Sequence, residues 1–137
     1  IYKVKAKQYK FAPIVDVKDA IMKTQSAKAK GRRFQQWVRD QLIEKLDVHP
    51  EDVESRSMGA GGEDLIMARA ARLKFPYSIE CKNQETLNVW KSYEQAESNS
   101  GKYEPVVFIK RNNQKPLVVV DAEYFVRLHN ERVDKSI

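Results

Sequence analysis

One stretch near the middle of the chain, Tyr77–Lys82, restricts the fold more than any other, because it predicts a strand with charged residues on one face. Successive side chains of a strand point to opposite faces, so Ile79 and Cys81 lie on one side and Glu80 and Lys82 on the other. An inner strand seldom carries two charges on one face without a task. The stretch therefore predicts an inner strand that contributes to a functional site.

A third charged residue is expected beside this strand. The segment Asp64–Ala68 also predicts a strand, and Arg69–Phe75 is predicted to be the turn that follows it. An antiparallel hairpin centred in that turn would place the start of the first strand opposite the end of the second. Asp64 would then lie beside Glu80 and Lys82. Two converging carboxylates suit a hard divalent cation such as Mg²⁺, which takes oxygen ligands and keeps several waters.

The remaining elements are predicted from periodicity and turn residues, in the order helix, three strands, helix, two strands, helix. Within residues 1–26, the alternation of lysine with apolar residues over Tyr2–Lys7 indicates a short edge strand or an extended arm, and Asp16 is a candidate cap for a short helix through Met22. The predicted helices are Ala29–Leu46, Asn88–Asn99 and one capped by Asp121, and the other strands are Val53–Ser57, Pro105–Ile109 and Pro116–Val120.

Composition and charge narrow the class of protein. The chain has 137 residues, of which 42% are apolar and 32% charged, as expected for one globular domain. No apolar run approaches the roughly 20 residues of a membrane helix, and a single cysteine indicates a reducing compartment. Residues 1–45 hold 12 Lys/Arg against 4 Asp/Glu, and the rest hold 13 against 15. A basic flank beside an acidic pocket fits a metal-using nuclease, but it also fits a solubilising tail.

The long predicted helix carries a polar residue on its inward side. With Phe34 at zero, Val38, Leu42 and Leu46 fall at about 40°, 80° and 120° around the helix, and Gln35 falls at about 100°. Gln35 is either a site residue that reaches the metal and its waters, or an amide that bonds to nearby backbone. The helix wheel alone leaves both interpretations open.

Other candidates also have two interpretations. Lys82 either stabilises charge on a phosphate and its attacking water, or forms an internal salt bridge. The glycine-rich segment Met58–Gly62 either lets backbone approach a phosphodiester or is an ordinary turn. Trp90 and Tyr93 follow the charged strand, and core packing is favoured for them over a contact with DNA or a partner subunit.

In these residues the sequence resembles the PD-(D/E)xK nuclease superfamily. The run Arg56–Asp64, followed by Ile79–Lys82, is similar to archaeal-type Holliday junction resolvases, including phage versions. Lys30–Gln36 resembles the start of the first helix of those enzymes. The resemblance covers roughly residues 28–121.

The resemblance implies a restriction-endonuclease-like α/β fold, with a central mixed five-stranded sheet flanked by helices. Residues 1–27 would be a basic N-terminal arm and residues 28–137 the nuclease domain. It implies a Mg²⁺-dependent endodeoxyribonuclease, with Mn²⁺ as a substitute, that cleaves four-way DNA junctions in recombination and repair. The enzyme would be a homodimer in the cytoplasm of a prokaryotic cell or a phage-infected host.

The resemblance also implies roles for individual residues. Asp64 and Glu80 would bind the metal, with the Cys81 carbonyl as a further ligand, and Lys82 would assist hydrolysis. Gln35 stands where the family has a catalytic Glu and is therefore expected in the site. The expected DNA contacts are Lys30, Arg32, Arg33, Ser57, Gly59, Gly61 and Gly62. Two alternatives stay open: a restriction-like or repair nuclease on duplex DNA, and a DNA-binding protein on the same fold that Gln35 has silenced.

Overall fold

The computed structural model describes the backbone of residues 2–57 and 61–136, and the side chains of residues 17, 20–57 and 61–130. Within these residues the protein is mixed α/β, with four α-helices and two sheets of two and three strands. The chain divides into two compact units, Ile1–Lys30 and Gly31–Ile137. Among the described residues, no helix is both long enough and apolar enough to cross a membrane.

The first helix, α1, spans Tyr2–Leu46. It ends where the sequence predicts, at Leu46, and the next residue, Asp47, has a left-handed φ of 56°. A 3₁₀ turn over Pro50–Asp52 follows. The beginning of α1 differs from the prediction, because the residues ahead of Ala29 are also helical: the predicted short helix from Asp16 to Met22 lies within α1, and Tyr2–Lys7 form neither a strand nor an extended arm. Those residues include many lysines and alanines, which favour a helix over the alternation that suggested a strand.

Five strands and three more helices follow α1. β1 pairs antiparallel with β2 in the first sheet, while β3 pairs parallel with β4 and β4 antiparallel with β5 in the second. A helix connects the two parallel strands, as parallel pairing requires. The strands are β1 (Val53–Ser55), β2 (Leu65–Met67), β3 (Tyr77–Asn83), β4 (Glu104–Lys110) and β5 (Leu117–Val119), and the helices are α2 (Arg69–Lys74), α3 (Val89–Ser98) and α4 (Ala122–Ser136).

The connection between β2 and β3 differs from the predicted hairpin. The segment predicted as a turn is the helix α2, because its Arg, Ala, Leu and Lys residues all favour a helix and it contains neither Gly nor Pro. β2 pairs with β1 and not with β3, so the described strands form two sheets. Even so, the Asp64 N–H donates to the Ile79 carbonyl over 2.9 Å, which fixes the residue ahead of β2 against β3.

Several caps and turns confirm the sequence predictions. Asp121 caps α4, since its Oδ1 accepts a hydrogen bond from the Tyr124 N–H at 2.8 Å. Asn88 caps α3 in the same way, through a 3.0 Å bond from the Lys91 N–H. Asn113, in the turn between β4 and β5, has the left-handed φ of 60° that asparagine tolerates.

The two faces of the three-stranded sheet have different coverings. On one face, Ile79 packs into a buried cluster with Phe34, Val38 and Leu42 of α1. Each such side chain contributes roughly 1.5–3 kcal/mol when it is fully buried. The other face lies against α3, where Ser92 and Ala96 are buried.

Candidate metal centre

Asp64 forms hydrogen bonds with three backbone groups, two of which belong to β3. Its own N–H donates to the Ile79 carbonyl, and its Oδ2 accepts from the Cys81 N–H at 2.6 Å. Its carbonyl accepts from the Arg56 N–H at 2.8 Å. These bonds place the Asp64 carboxylate at the middle of β3, beside the face that carries Glu80.

Glu80 lies between the sheet and α3, and only 2% of it is exposed. Its Oε1 accepts a hydrogen bond from Gln95 Nε2 at 3.1 Å and lies 3.6 Å from Lys82 Nζ. Its Oε2 is buried and accepts no hydrogen bond from the residues that the structure describes. The Gln95 amide and the Lys82 ammonium therefore both act on Oε1, and Oε2 is open to a proton shared with Asp64 or to a cation.

The electrostatics of the two carboxylates are linked. Burial, and then the negative charge of Asp64, raise the pKa of Glu80 to about 7, against the opposing effect of Lys82. Burial also raises the pKa of Asp64, although the Cys81 N–H and Lys82 favour its charged form. The two groups are close enough to share a hydrogen bond when one of them is protonated. At neutral pH, either a proton or a cation can relieve their repulsion.

These groups fit a divalent cation with oxygen ligands. Within residues 17, 20–57 and 61–130, no three His, Cys, Asp or Glu side chains are grouped to hold a metal. The candidate donors are therefore the Asp64 and Glu80 carboxylates, and Mg²⁺ commonly takes one or two carboxylates and completes its shell with water. The Cys81 side chain lies on the opposite face of β3 from Glu80, so Cys81 would contribute its backbone carbonyl and not its sulfur. Burial raises the pKa of the Cys81 thiol well above its usual value.

Family models, curated proteins and solved structures contain no match to this chain. Its function is therefore argued from the chemistry of the site.

The structure places Gln35 inside the protein, with 3% of it exposed. Its Oε1 accepts a hydrogen bond from Ser55 Oγ at 2.6 Å, which joins α1 to β1. This bond to a side chain does not decide between the two interpretations, so the role of Gln35 in the site stays a prediction. The inward position predicted by the helix wheel is confirmed.

The residues predicted to contact DNA are mostly at the surface. Gly62 has a left-handed φ of +88°, and its carbonyl accepts from Asn99 Nδ2 at 3.3 Å, which ties the glycine-rich segment to the end of α3. Gly59 lies outside the described residues, and Lys30 is half-buried in the first unit. The exposed members are Arg32, Arg33, Ser57, Gly61 and Gly62.

Two features of the site are not evident in the sequence. Gln95 holds Glu80 from α3, yet its sequence neighbours give no sign of an inward amide. Glu63 pairs with Arg72, whose guanidinium also lies 4.2 Å from the centre of the Tyr103 ring. The prediction of core packing is wrong for Trp90, which is 80% exposed, while Tyr93 is half-buried.

Proposed function

We propose that this chain is a Mg²⁺-dependent endodeoxyribonuclease that cleaves four-way DNA junctions. The observation that carries the proposal is the pair Asp64 and Glu80, with one buried Glu80 oxygen that accepts no hydrogen bond from the described residues. Lys82 lies at the same pair. Two acids and a lysine in this arrangement suit hydrolysis of a phosphodiester better than a structural ion pair, because an ion pair has no need of the second acid.

The proposed mechanism gives a role to each residue of this site. Asp64 and Glu80 would hold Mg²⁺, with the Cys81 carbonyl beside them, and the cation supplies charge stabilisation and an acidified water. The Lys82 ammonium donates to an oxygen of the scissile phosphate as negative charge develops there. The Cys81 N–H and Gln95 keep the two carboxylates in position through their hydrogen bonds.

The proposal includes the wider organisation of the protein. The two sheets would be parts of one restriction-endonuclease-like sheet of five strands, and the bond between Asp64 and Ile79 supports this by linking them. The exposed Arg32 and Arg33 suit contacts to the DNA backbone, which need no base recognition. A homodimer in the cytoplasm of a prokaryotic cell or phage-infected host follows from the resemblance alone.

A second candidate function has its own observation. Gln35 is neutral and buried at the position where the resembling family has a glutamate, which favours a DNA-binding protein on the same fold that has lost catalysis. A third candidate is a nuclease that acts on ordinary duplex DNA.

One cleavage assay separates the three candidates. The full chain is incubated with Mg²⁺ and an end-labelled four-way junction, or with a duplex of matched sequence, and with EDTA or the Asp64→Asn variant as controls. We expect metal-dependent, paired incisions near the branch point and little cleavage of the duplex. Equal cleavage of both substrates would favour the duplex nuclease. Tight junction binding without incision, in Mg²⁺ and in Mn²⁺, would favour the silenced binder.

A further inference from the structure

A cavity of about 310 Å³ lies on the same face of the three-stranded sheet as the candidate metal centre. In the strand register, Lys82 is opposite Ile109, and Ile109 is opposite Leu117. Paired residues point to the same face, so these three side chains form one row across the sheet. Ile109 and Leu117 line the cavity, which therefore continues the row that begins at Lys82.

The cavity is also adjacent to Lys82 along β3. Gln84 lines it, and the Gln84 N–H donates to the Lys110 carbonyl at 3.0 Å, so strand pairing continues one residue beyond β3. Gln84 is two positions along the strand from Lys82, a distance of about 7 Å. A nucleotide beside one bound at Lys82 is thus within reach of the cavity. The cavity lies at the carboxyl ends of two parallel strands, where α/β sheets commonly bind ligands.

The lining combines an apolar floor with a cationic rim. Its single acid, Glu85, is already engaged, because both carboxylate oxygens accept from the Asn112 N–H at 3.1 and 3.2 Å. An apolar floor takes the face of a base, and cations take its phosphate. The floor is formed by Leu87, Val89, Ile109 and Leu117, and the rim by Lys110, Arg111 and Lys115.

We propose that this cavity binds one unpaired nucleotide of the DNA strand, next to the phosphodiester that is cleaved. The proposal rests on the proposed function and adds a source of selectivity for branched DNA. A base at a branch point is unstacked at lower cost than a base inside a duplex, so a site that takes an unstacked base favours branched substrates.

Two neighbouring residues of β5 provide a matched pair of variants. Leu117 lines the cavity, whereas Val118 pairs with Phe108 on the opposite face. Their exposed fractions are similar, 52% and 47%, so a polar side chain at either position can reach solvent. Leu117→Glu and Val118→Glu therefore change the charge of the protein equally and differ in whether the cavity is altered. Leu117→Gln and Val118→Gln repeat the test without a change of charge.

Binding is measured with the full chain carrying Asp64→Asn, so that the DNA stays intact. The probe is a four-way junction with 2-aminopurine at successive positions on either side of the cleavage point, because the fluorescence of this base rises when it unstacks. We expect one position to brighten on binding with the parent chain and with both Val118 variants. With both Leu117 variants, that signal should be lost and junction affinity should fall by roughly 5- to 100-fold.

The outcomes separate this proposal from the one on which it depends. The nucleotide site is overturned, and the nuclease stays, if the wild type cleaves the junction and the Asp64→Asn chain binds it, but no 2-aminopurine position brightens. Equal effects of the Leu117 and Val118 variants on that signal and on affinity have the same meaning. A chain that binds no DNA overturns both.

Discussion

Glu63 and Asp64 are adjacent in the chain but belong to two different clusters of charged side chains. The two clusters differ in how completely their charges are paired. Glu63 forms an ion pair with Arg72, which also lies over the Tyr103 ring. Glu80 is more deeply buried, stands beside a second acid and has an oxygen that accepts no hydrogen bond from the described residues. The first cluster has the balance expected of a structural ion pair. The second is short of positive charge, which is typical of a site that binds a cation.

Removing the cation of either cluster should impair the protein, but a different property in each case: cleavage for Lys82 and stability for Arg72. Lys82→Ala should reduce cleavage by roughly 100- to 1,000-fold, because in the proposed mechanism Lys82 acts on charge that develops at one phosphate. Junction affinity should change little, since many cations share the backbone contacts.

Arg72→Ala should instead lower stability by about 2–3 kcal/mol, because Glu63 is left without its partner, and cleavage per folded molecule should persist. Single-turnover cleavage, junction binding and urea unfolding measure these effects. Loss of folding in Lys82→Ala would make that lysine structural.

Replacing the acid of each cluster with glutamine should change the free energy of unfolding in opposite directions. The pKa of Glu80 is raised from an ordinary value of 4.5 to about 7, so between these values the folded protein holds a proton that the unfolded chain lacks. Stability without metal should therefore fall as pH rises through this window. Glu80→Gln removes the effect and should stabilise the metal-free protein by about 1–3 kcal/mol at pH 8. Glu63→Gln should destabilise it by a similar amount.

Urea unfolding in EDTA at pH 5 and pH 8 tests this contrast. The difference between wild type and Glu80→Gln should be small at the lower pH and larger at the higher. Destabilisation by Glu80→Gln at pH 8 would mean that Glu80 is a structural residue like Glu63.

The basic N-terminal segment lies outside both clusters. Deletion of residues 1–12, which carry Lys3, Lys5, Lys7 and Lys10, should flatten the dependence of log junction affinity on log salt concentration. The slope should fall by at most about 0.9 for each phosphate contact that is lost. Cleavage at saturating protein should not change, because the carboxylates and Lys82 are retained. An unchanged slope would show that this segment does not contact DNA.

Gln35→Glu should have the smallest effect. With Asp64, Glu80 and Lys82 present, we expect cleavage to change by less than about tenfold in either direction, since the added charge acts through a site that already holds two acids. Because Gln35 bonds to Ser55, Ser55→Ala is the matched control for disturbing that contact. Activity that appears only in Gln35→Glu would favour the silenced binder.

The sequence correctly predicted that Asp64 lies beside Glu80 and Lys82, but not the connection that brings it there. Alternation in Tyr77–Lys82 identified the charged face of β3, because period-two patterns depend only on local strand geometry. The turn predicted between β2 and β3 is the helix α2, yet Asp64 still reaches β3, because its backbone bond to Ile79 does not require a hairpin ladder.

What the sequence could not predict depends on tertiary contacts. Gln95 reaches Glu80 only because α3 covers that face of the sheet. The sequence around a single polar residue on a helix does not predict which residue it bonds to. The long extent of α1 was missed because lysine alternating with apolar residues fits a strand as well as a helix. Core packing is predicted for Trp90 from the general preference of aromatic side chains, but large apolar residues are often exposed, as Trp90 is here.

The most direct measurement is calorimetric titration of Mn²⁺ into four proteins: wild type, Asp64→Asn, Glu80→Gln and Glu63→Gln. We expect wild type and Glu63→Gln to bind the metal with similar affinity. Asp64→Asn and Glu80→Gln should each lose at least about tenfold in affinity, because each removes a proposed ligand. Equal Mn²⁺ binding by Asp64→Asn and wild type would contradict a metal centre at this pair of carboxylates.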